Sequence, residues 1–206
     1  MEKKSISLDA ERVLEKIKGL NISEDFYLAG GTALAIQLNH RESIDLDWFV
    51  KDCFSNNKII ELLSGIGEFK LNQEEEGTIH GVLDDVKISF LQYRYDLQFP
   101  LVEFKGVKIA DEKDIAAMKL DAISSRGTKK DFIDLYFLLR KYSLEDLLKI
   151  FEKKYSDIKY NKVHLLKSLA FFEDAEDEPM PIMIEDIDWN EMKKELQEKT
   201  EDFLKK

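Results

Sequence analysis

The sequence predicts an α+β chain, with strands and helices mixed in its first half and helices alone in its second. Three observations carry that prediction. Short apolar runs of strand character alternate with one-sided helical segments up to residue 110, helical periodicity takes over from residue 111, and a 206-residue chain with 44% hydrophobic side chains and 13 phenylalanines can bury a full core. Three prolines and nine glycines exclude a fibrous or low-complexity chain.

Taken in order, Leu8, Val13, Leu14, Ile17 and Leu20 recur at helical spacing and predict a helix over 8–20. A short strand follows at 26–29, Gly30-Gly31 breaks it, and Thr32 opens a helix through "ALAIQLNH". The run "SIDLDWFV" predicts a second strand over 43–50, and a helix is expected around 55–64. "GEFKLNQEE", "GTIHGVLDD" and "VKISFLQY" have strand character and are joined by turn-prone or charged residues, which predicts a meander. "GVKIA" gives one more strand, and helices are expected over 111–125, 129–141, 144–154 and 161–172. The acidic stretch "EDAEDEPMPIMIEDID" reads as a linker or wrapping segment and "WNEMKKELQEKTEDFLKK" as a closing helix. These patterns divide the chain into a core over 1–110 and a helical lobe over 111–206 that includes the acidic linker.

Composition limits the function classes. No apolar stretch is long enough for a signal peptide or membrane span, and the single cysteine, Cys53, cannot form an internal disulfide, so the expectation is a cytoplasmic protein with no membrane partner. No Cys/His spacing resembles a zinc site, and His40, His80 and His164 are isolated in sequence, as packing or surface histidines usually are. The net charge of −11 opposes a nucleic-acid partner at first sight. Residues 173–206 account for −8 of it, leaving −3 for the body. Within that body Lys119, Arg126, Lys129, Lys130, Arg140 and Lys141 form a local basic excess that could meet phosphates or simply be a solvated helix surface.

The stretch "FYLAGGTALAIQLNHRESIDLDWFV" concentrates the chemistry. In a strand alternate side chains share a face, so Asp45 and Asp47 point the same way, with Ile44, Leu46, Trp48 and Val50 packed behind. Two adjacent carboxylates repel, the more so when buried, and call for a cation, most simply Mg²⁺ or Mn²⁺. An exposed edge strand with two solvated aspartates satisfies the spacing equally well. Upstream, a strand, two glycines and a helix start at Thr32 put free backbone N–H groups and a positive helix end where an anion could bind. Thr32 alone is an ordinary N-cap. A phosphate-cradling turn followed one helix later by a carboxylate pair is the more informative combination.

These residues carry a resemblance. "LAGGTALAIQLNHRESIDLDWF" resembles the signature of the AbiEii/AbiGii toxin family of nucleotidyltransferases, within the DNA polymerase beta-like superfamily; the likeness continues through "VKISFLQY" and "DIAAMKLDAISSRGTKKDFIDLYFLL" and covers roughly residues 20–142. It implies a nucleotidyltransferase-type mixed sheet with flanking helices, a C-terminal helical lobe, and a nucleoside triphosphate substrate. Gly30, Gly31 and Thr32 would hold the triphosphate, Asp45 and Asp47 would bind Mg²⁺ or Mn²⁺, and Arg41 and Ser43 match an R-x-S-x-D-x-D pattern that touches the triphosphate or braces the strand. The family's corresponding lysine and aspartates map onto Lys119, Asp131 and Asp134. The resemblance further implies a toxin of a toxin–antitoxin or phage-defence system, a tRNA 3′ end or a protein hydroxyl as acceptor, and an antitoxin as partner.

The second block can also be judged on its own residues. Thr128 and Asp131 fit a capping box, which gives Asp131 a structural reading. Asp134 sits among Ile133, Leu135, Phe137 and Leu138, where an unpaired carboxylate is costly, so it is expected to meet a cation. Lys119 has only Ile115, Ala116, Ala122 and Ile123 three and four residues away. It either snorkels from an apolar face or contacts phosphates together with Arg126, which lies two turns further on, the two aspartates orienting one or the other. One element of the superfamily pattern is missing. The third carboxylate's place in "VKISF" falls on Ser89, and Asp85, the nearest acid on the same predicted face, is displaced by about 13 Å along the strand.

The expected function is metal-assisted nucleotidyl transfer, with NMP moved from NTP to a hydroxyl and pyrophosphate leaving. The alternative is a non-catalytic NTP-binding or protein-interaction module on the same fold, which Ser89 favours. A glycosyltransferase would also use D-x-D but leaves the Gly-Gly-Thr turn and "KKDFIDLYFLL" unexplained.

Overall fold

The computed structural model describes residues 4–20, 22 and 25–205; the first three residues of the polar start and Lys206 at the end of the expected closing helix lie outside them. Helix α1 (Leu8–Lys18) turns Ala10, Val13, Leu14 and Ile17 inward, and the Ser7 hydroxyl caps it by accepting from the Ala10 N–H. It ends two residues earlier than its apolar spacing suggests, at Gly19.

Seven strands form one mixed sheet in the order β3-β4-β5-β2-β1-β7-β6. They are β1 (Tyr27–Ala29), β2 (Leu46–Val50), β3 (Phe69–Glu75), β4 (Thr78–Leu83), β5 (Val86–Gln92), β6 (Val102–Phe104) and β7 (Val107–Ile109). The expected meander is β3-β4-β5, antiparallel throughout. The two parallel pairs, β2 with β5 and β1 with β7, make the sheet mixed. The β4–β5 loop is the two residues Asp84 and Asp85, both at positive φ (48° and 67°), as a type I′ hairpin turn requires. Asp85 is therefore a turn residue rather than a strand residue on the Ser89 face. Strand β6 was not expected from the sequence. Its three residues are largely exposed and are recruited by a tight turn through Lys105 and Gly106 onto β7.

Two core features fix the centre of the sheet. Trp48 on β2 and Phe90 on β5, both fully buried, stack with ring centroids 6.1 Å apart and planes 9° off parallel. Strand β2 begins at Leu46, three residues later than expected, because Ser43 is bound outside the sheet: Ser43 N–H donates to Ser5 O at 2.9 Å, and Ser7 N–H donates to Ser43 O at 3.1 Å. Ile44 in consequence projects outward at 53% exposure instead of joining Leu46, Trp48 and Val50 in the core.

The remaining helices are α2 (Gly30–Leu38), α3 (Asn56–Ser64), α4 (Glu112–Ser125), α5 (Lys129–Leu139), α6 (Leu144–Lys154), α7 (Lys162–Ser168) and α8 (Trp189–Leu204). Helix α5 is buried along nearly its whole length and packs against α2, α4 and α8. The acidic segment before α8 wraps back over the core: Met183 bridges Arg41, Glu42 N–H donates to Ile182 O at 2.8 Å, and Ile184 N–H donates to His40 O at 2.9 Å. Among the described residues no helix is long and apolar enough to cross a membrane.

Candidate active site

One pocket of about 230 Å³ gathers Gly31, Thr32, Arg41, Ser43, Asp45, Asp47, Lys119, Arg126 and Asp131 with Thr128 and Lys130. Segments spanning a hundred residues of sequence thus meet at the C-terminal end of β1 and the start of β2. Gly30 and Asp134 stand behind the lining.

The floor begins with α2. Its first residue is Gly30, not Thr32, and its N-cap position, Ala29, offers no side-chain cap and no acid follows in the first turn. Among the described residues the first N–H groups of α2 thus have no side-chain cap beside the pocket, the arrangement that suits a phosphate. Thr32 is used differently from an N-cap. Its hydroxyl donates to the Asp45 carbonyl oxygen and lies 2.8 Å from Ser43 Oγ, tying the entry of β2 to α2. Both glycines are sterically required. Gly30 has φ +68°, and a Cβ there would lie 3.0 Å from Asp47 Oδ2; a Cβ on Gly31 would lie 2.5 Å from Arg41 Nη2.

Asp45 and Asp47 line this pocket without an ion pair among the described residues. Burial raises the Asp47 carboxyl above its ordinary range; a hydrogen bond from Ser89 opposes the rise, and the neighbouring Asp45 charge adds to it. Ser89 stands directly opposite Asp47 on β5, and His80 on β4 stands directly opposite Ser89. His80 Nδ1 is 3.0 Å from Ser89 Oγ. A serine has one proton to give; with that proton on Asp47, its oxygen accepts from His80 Nδ1–H. The hydroxyl–imidazole relay occupies the place where a third acid was expected. Among the described residues no group of three or more His, Cys, Asp or Glu side chains is disposed to hold a metal. Two carboxylates remain, hard oxygen donors whose chemistry would suit a divalent cation such as Mg²⁺.

Behind the pocket lies a buried ionic network. Asp134 Oδ1 accepts from Arg41 Nε at 2.8 Å and from His40 Nε2 at 2.7 Å; Asp134 Oδ2 accepts from Arg41 Nη2 at 2.9 Å and lies 2.7 Å from Lys119 Nζ. Lys119 also donates to Asp131 Oδ1 at 2.7 Å, while Asp131 Oδ2 accepts from the Thr128 hydroxyl at 2.6 Å and from the Thr128 N–H at 3.2 Å, the latter closing the capping box of α5. Burial alone would push the Asp134 carboxyl up, but Lys119 and Arg41 with the hydrogen bonds outweigh it and hold it well below the usual carboxylate range. Asp131 is lowered by Lys119 against the same opposing burial. Lys119 is raised because Asp134 and Asp131 overcome its desolvation.

The network changes how several expected site residues are placed. Arg41, 1% exposed, has its fork fixed on Asp134, and the Lys119 ammonium is held by two carboxylates. The exposed cations facing the pocket are Arg126, at the C-terminal end of α4, and Lys130, in the first turn of α5; no ion pair to either exists among the described residues. In the sequence Lys130 is only one member of a basic surface, and His40 and His80 stand isolated. Their partners are 94 and 9 residues away, so no local spacing signals them.

With this geometry in view, comparison with known proteins identifies the family. A family model described as the nucleotidyl transferase AbiEii toxin of type IV toxin–antitoxin systems matches residues 12–109 and 84–206. An uncharacterized protein of Aquifex aeolicus (strain VF5) is 39% identical over 216 aligned positions, covering 98% of both chains. Among solved structures, the MenT4 nucleotidyltransferase toxin of Mycobacterium tuberculosis superposes with a TM-score of 0.60 at 14% identity, over 94% of this chain and 84% of that one. The JHP933 protein of Helicobacter pylori superposes with a TM-score of 0.57 at 20% identity, over 94% and 90%. At these identities the structural likeness concerns the fold, a mixed nucleotidyltransferase sheet with its helices. The family model spans nearly the whole sequence, and the chain belongs to the AbiEii family of nucleotidyl transferase toxins.

Proposed function

We propose that this protein moves a nucleoside monophosphate from a nucleoside triphosphate to a hydroxyl acceptor, with pyrophosphate as leaving group. The observation that carries the reading is the pairing, in one pocket, of two carboxylates that form no ion pair among the described residues with a helix N-terminus that has no side-chain cap. Asp45 and Asp47 would hold Mg²⁺, which would supply charge neutralisation at the α-phosphate. The α2 N–H groups around Gly31 and Thr32 receive the β- and γ-phosphates, with Arg126 and Lys130 closing over them. Lys119, 8% exposed, presents what remains of its charge at the pocket floor while Asp131 and Asp134 fix its position. Arg41 and Ser43 brace the segment that carries the two aspartates. Ser89 and His80 orient the Asp47 carboxylate. The acceptor oxygen attacks the α-phosphorus, the bond from that phosphorus to the bridging oxygen breaks, and the acceptor proton passes to water.

The acceptor is a tRNA 3′ end or a protein hydroxyl, and an antitoxin counters the activity. The exposed cations at the pocket rim support RNA. The test is incubation of the purified protein with total tRNA, Mg²⁺ and each α-³²P-labelled NTP in turn, beside Asp45→Asn. Label on RNA with the native protein alone supports the reading, and label on protein moves the acceptor to a side-chain hydroxyl. NTP binding with no label on either returns the chain to a non-catalytic NTP-binding module.

A further inference from the structure

Beside the catalytic pocket lies a second one of different character, about 220 Å³ in volume, formed by Ile44 and by the Pro179–Ile182 stretch of the wrapping segment. Ser43 and Lys130 line both pockets, so the two are adjacent. Ile44, Met180 and Ile182 are 53%, 40% and 58% exposed, three large apolar side chains converging on one surface point next to a strongly polar cleft. We propose that this shelf seats the nucleobase of the incoming nucleoside triphosphate. The assignment rests on the nucleotidyl-transfer reading of Asp45 and Asp47 and adds the subsite for the other end of the same substrate.

Charge complementarity argues for this occupant. A nucleoside triphosphate has an anionic tail at one end and a flat ring with an apolar face at the other. The polar pocket, with its cations and helix N-terminus, matches the first, and the shelf matches the second. Ser43 lines both pockets, with Ile44 in the shelf and Asp45 in the polar pocket next along the chain, so the shelf adjoins the pocket that would hold the α-phosphate. The shelf is also built in advance. Its backbone is tied to residues 40–42 by the Glu42-to-Ile182 and Ile184-to-His40 hydrogen bonds and the Arg41–Met183 bridge, and two prolines stiffen it. A rigid subsite loses little entropy when its ligand arrives.

The same geometry limits what the shelf can read. Pro179 and Pro181 have no N–H to offer, and the Ile182 carbonyl oxygen already accepts from Glu42. The shelf's apolar side chains offer contact to the ring face, which every base has, while Glu42, Ser43 and Lys130 are the polar side chains that line the same pocket.

The experiment is calorimetric titration, in Mg²⁺, of the native full-length protein and the double variant Met180→Ser, Ile182→Ser with ATP, CTP, GTP, UTP and inorganic tripolyphosphate. Tripolyphosphate reports the phosphate subsite alone. The expected result is native NTP affinities at least about tenfold above that of tripolyphosphate, an excess that the double variant loses for all four bases while its tripolyphosphate affinity and melting temperature stay unchanged. Ile182→Val should retain the excess. Native-like NTP affinity in the double variant, or native protein that binds NTP no better than tripolyphosphate, overturns the shelf and leaves the transfer reading standing; an RNA or protein partner would then be its occupant. Native protein that binds neither compound overturns both.

Discussion

Asp47 on β2 and Ser89 on β5 face each other in register across a parallel strand pair, with the serine hydroxyl bound to the carboxylate and His80 bound to the serine. A neutral side chain here leaves Asp45 and Asp47 as the acids of the cleft that form no ion pair among the described residues, Asp131 being paired with Lys119. Replacing it with an acid, Ser89→Asp, adds a third negative charge to a partly buried pair. The metal-free variant should melt below the native protein, and Mg²⁺ should raise its melting temperature by more than it raises the native one. Ser89→Ala, which frees Asp47 to rotate, should lower transfer by about 10–100-fold, the usual cost of losing an outer partner of a metal ligand. Thermal melts with and without Mg²⁺, beside initial rates, check both. An unchanged Mg²⁺ response in Ser89→Asp would remove Asp47 from the metal site.

Asp45 and Asp47 lie together at some cost to the fold, since burial and the Asp45 charge raise Asp47 against the Ser89 hydrogen bond and the Lys119 charge, and neither carboxylate forms an ion pair among the described residues. Asp45→Asn and Asp47→Asn should each reduce transfer by more than about a hundredfold, because even indirect partners of metal ligands cost up to that much. In metal-free buffer each should be as stable as the native protein or more stable by about 1 kcal/mol. Activity lost together with several kcal/mol of stability would mark the aspartates as structural instead.

Much of this arrangement was legible in the sequence because its signals are local. The D-x-D pair and the glycine turn each occupy a few consecutive residues, and the β3-β4-β5 meander is built from neighbouring segments of one unbroken stretch, Phe69 to Gln92. What was not legible depended on distant partners. Ile44 looked like a core residue because strand alternation was carried back to residue 43, whereas Ser43 is held by Thr32 and the chain before α1. Lys119 looked unneutralised because no acid stands three or four residues away; its two carboxylates come from α5, 12 and 15 residues on. Strand β6 has no apolar pattern of its own and exists because a turn places it against β7.

The two glycines at the start of α2 should fail in different ways. Gly31→Ala places a methyl group 2.5 Å from Arg41 Nη2, so the guanidinium must leave its bidentate seat on Asp134. A loss of about 3 kcal/mol is expected, the scale of a charged hydrogen bond removed from a buried group. Gly30→Ala meets Asp47 Oδ2 at 3.0 Å and a φ of +68°, which costs an L-residue about 1–2 kcal/mol and displaces the carboxylate. Denaturant melts should rank Gly31→Ala as the less stable variant, and Gly30→Ala should lose more activity than its stability explains.

The cations should separate in the same manner. Arg126 and Lys130 are exposed and without ion pairs among the described residues. Arg126→Ala and Lys130→Ala should keep stability within about 0.5 kcal/mol of native and raise the KM for NTP several-fold, the effect growing at low salt. Lys119→Ala leaves Asp131 and Asp134 to share fewer cations and should destabilise by about 3 kcal/mol or more. Equal melting temperatures for Lys119→Ala and Lys130→Ala would contradict the buried network.

Asp134 sets the response of the fold to acid. Its carboxyl and that of Asp131 are held below their ordinary value of 3.8, so both add stability that is complete above that value and disappears as pH falls through their lowered native values. Lys119, raised above 10.5, contributes stability that is complete below that value and disappears as pH rises through its native one. Asp47 acts in the opposite sense to the other aspartates, its raised carboxyl favouring the fold most when protonated, which slightly offsets their loss in acid. Stability should therefore form a plateau between about pH 4 and pH 10, with a steep fall on the acid side. Asp134→Asn leaves Arg41 and Lys119 with half their compensation in a fully buried site and should cost about 3–5 kcal/mol on the plateau. Because the side chain that drives much of the acid transition is gone, its stability should vary less between pH 5 and pH 3 than that of the native protein. Urea melts across that range decide the point: parallel native and variant curves would show that Asp134 is not the group whose protonation opens the fold.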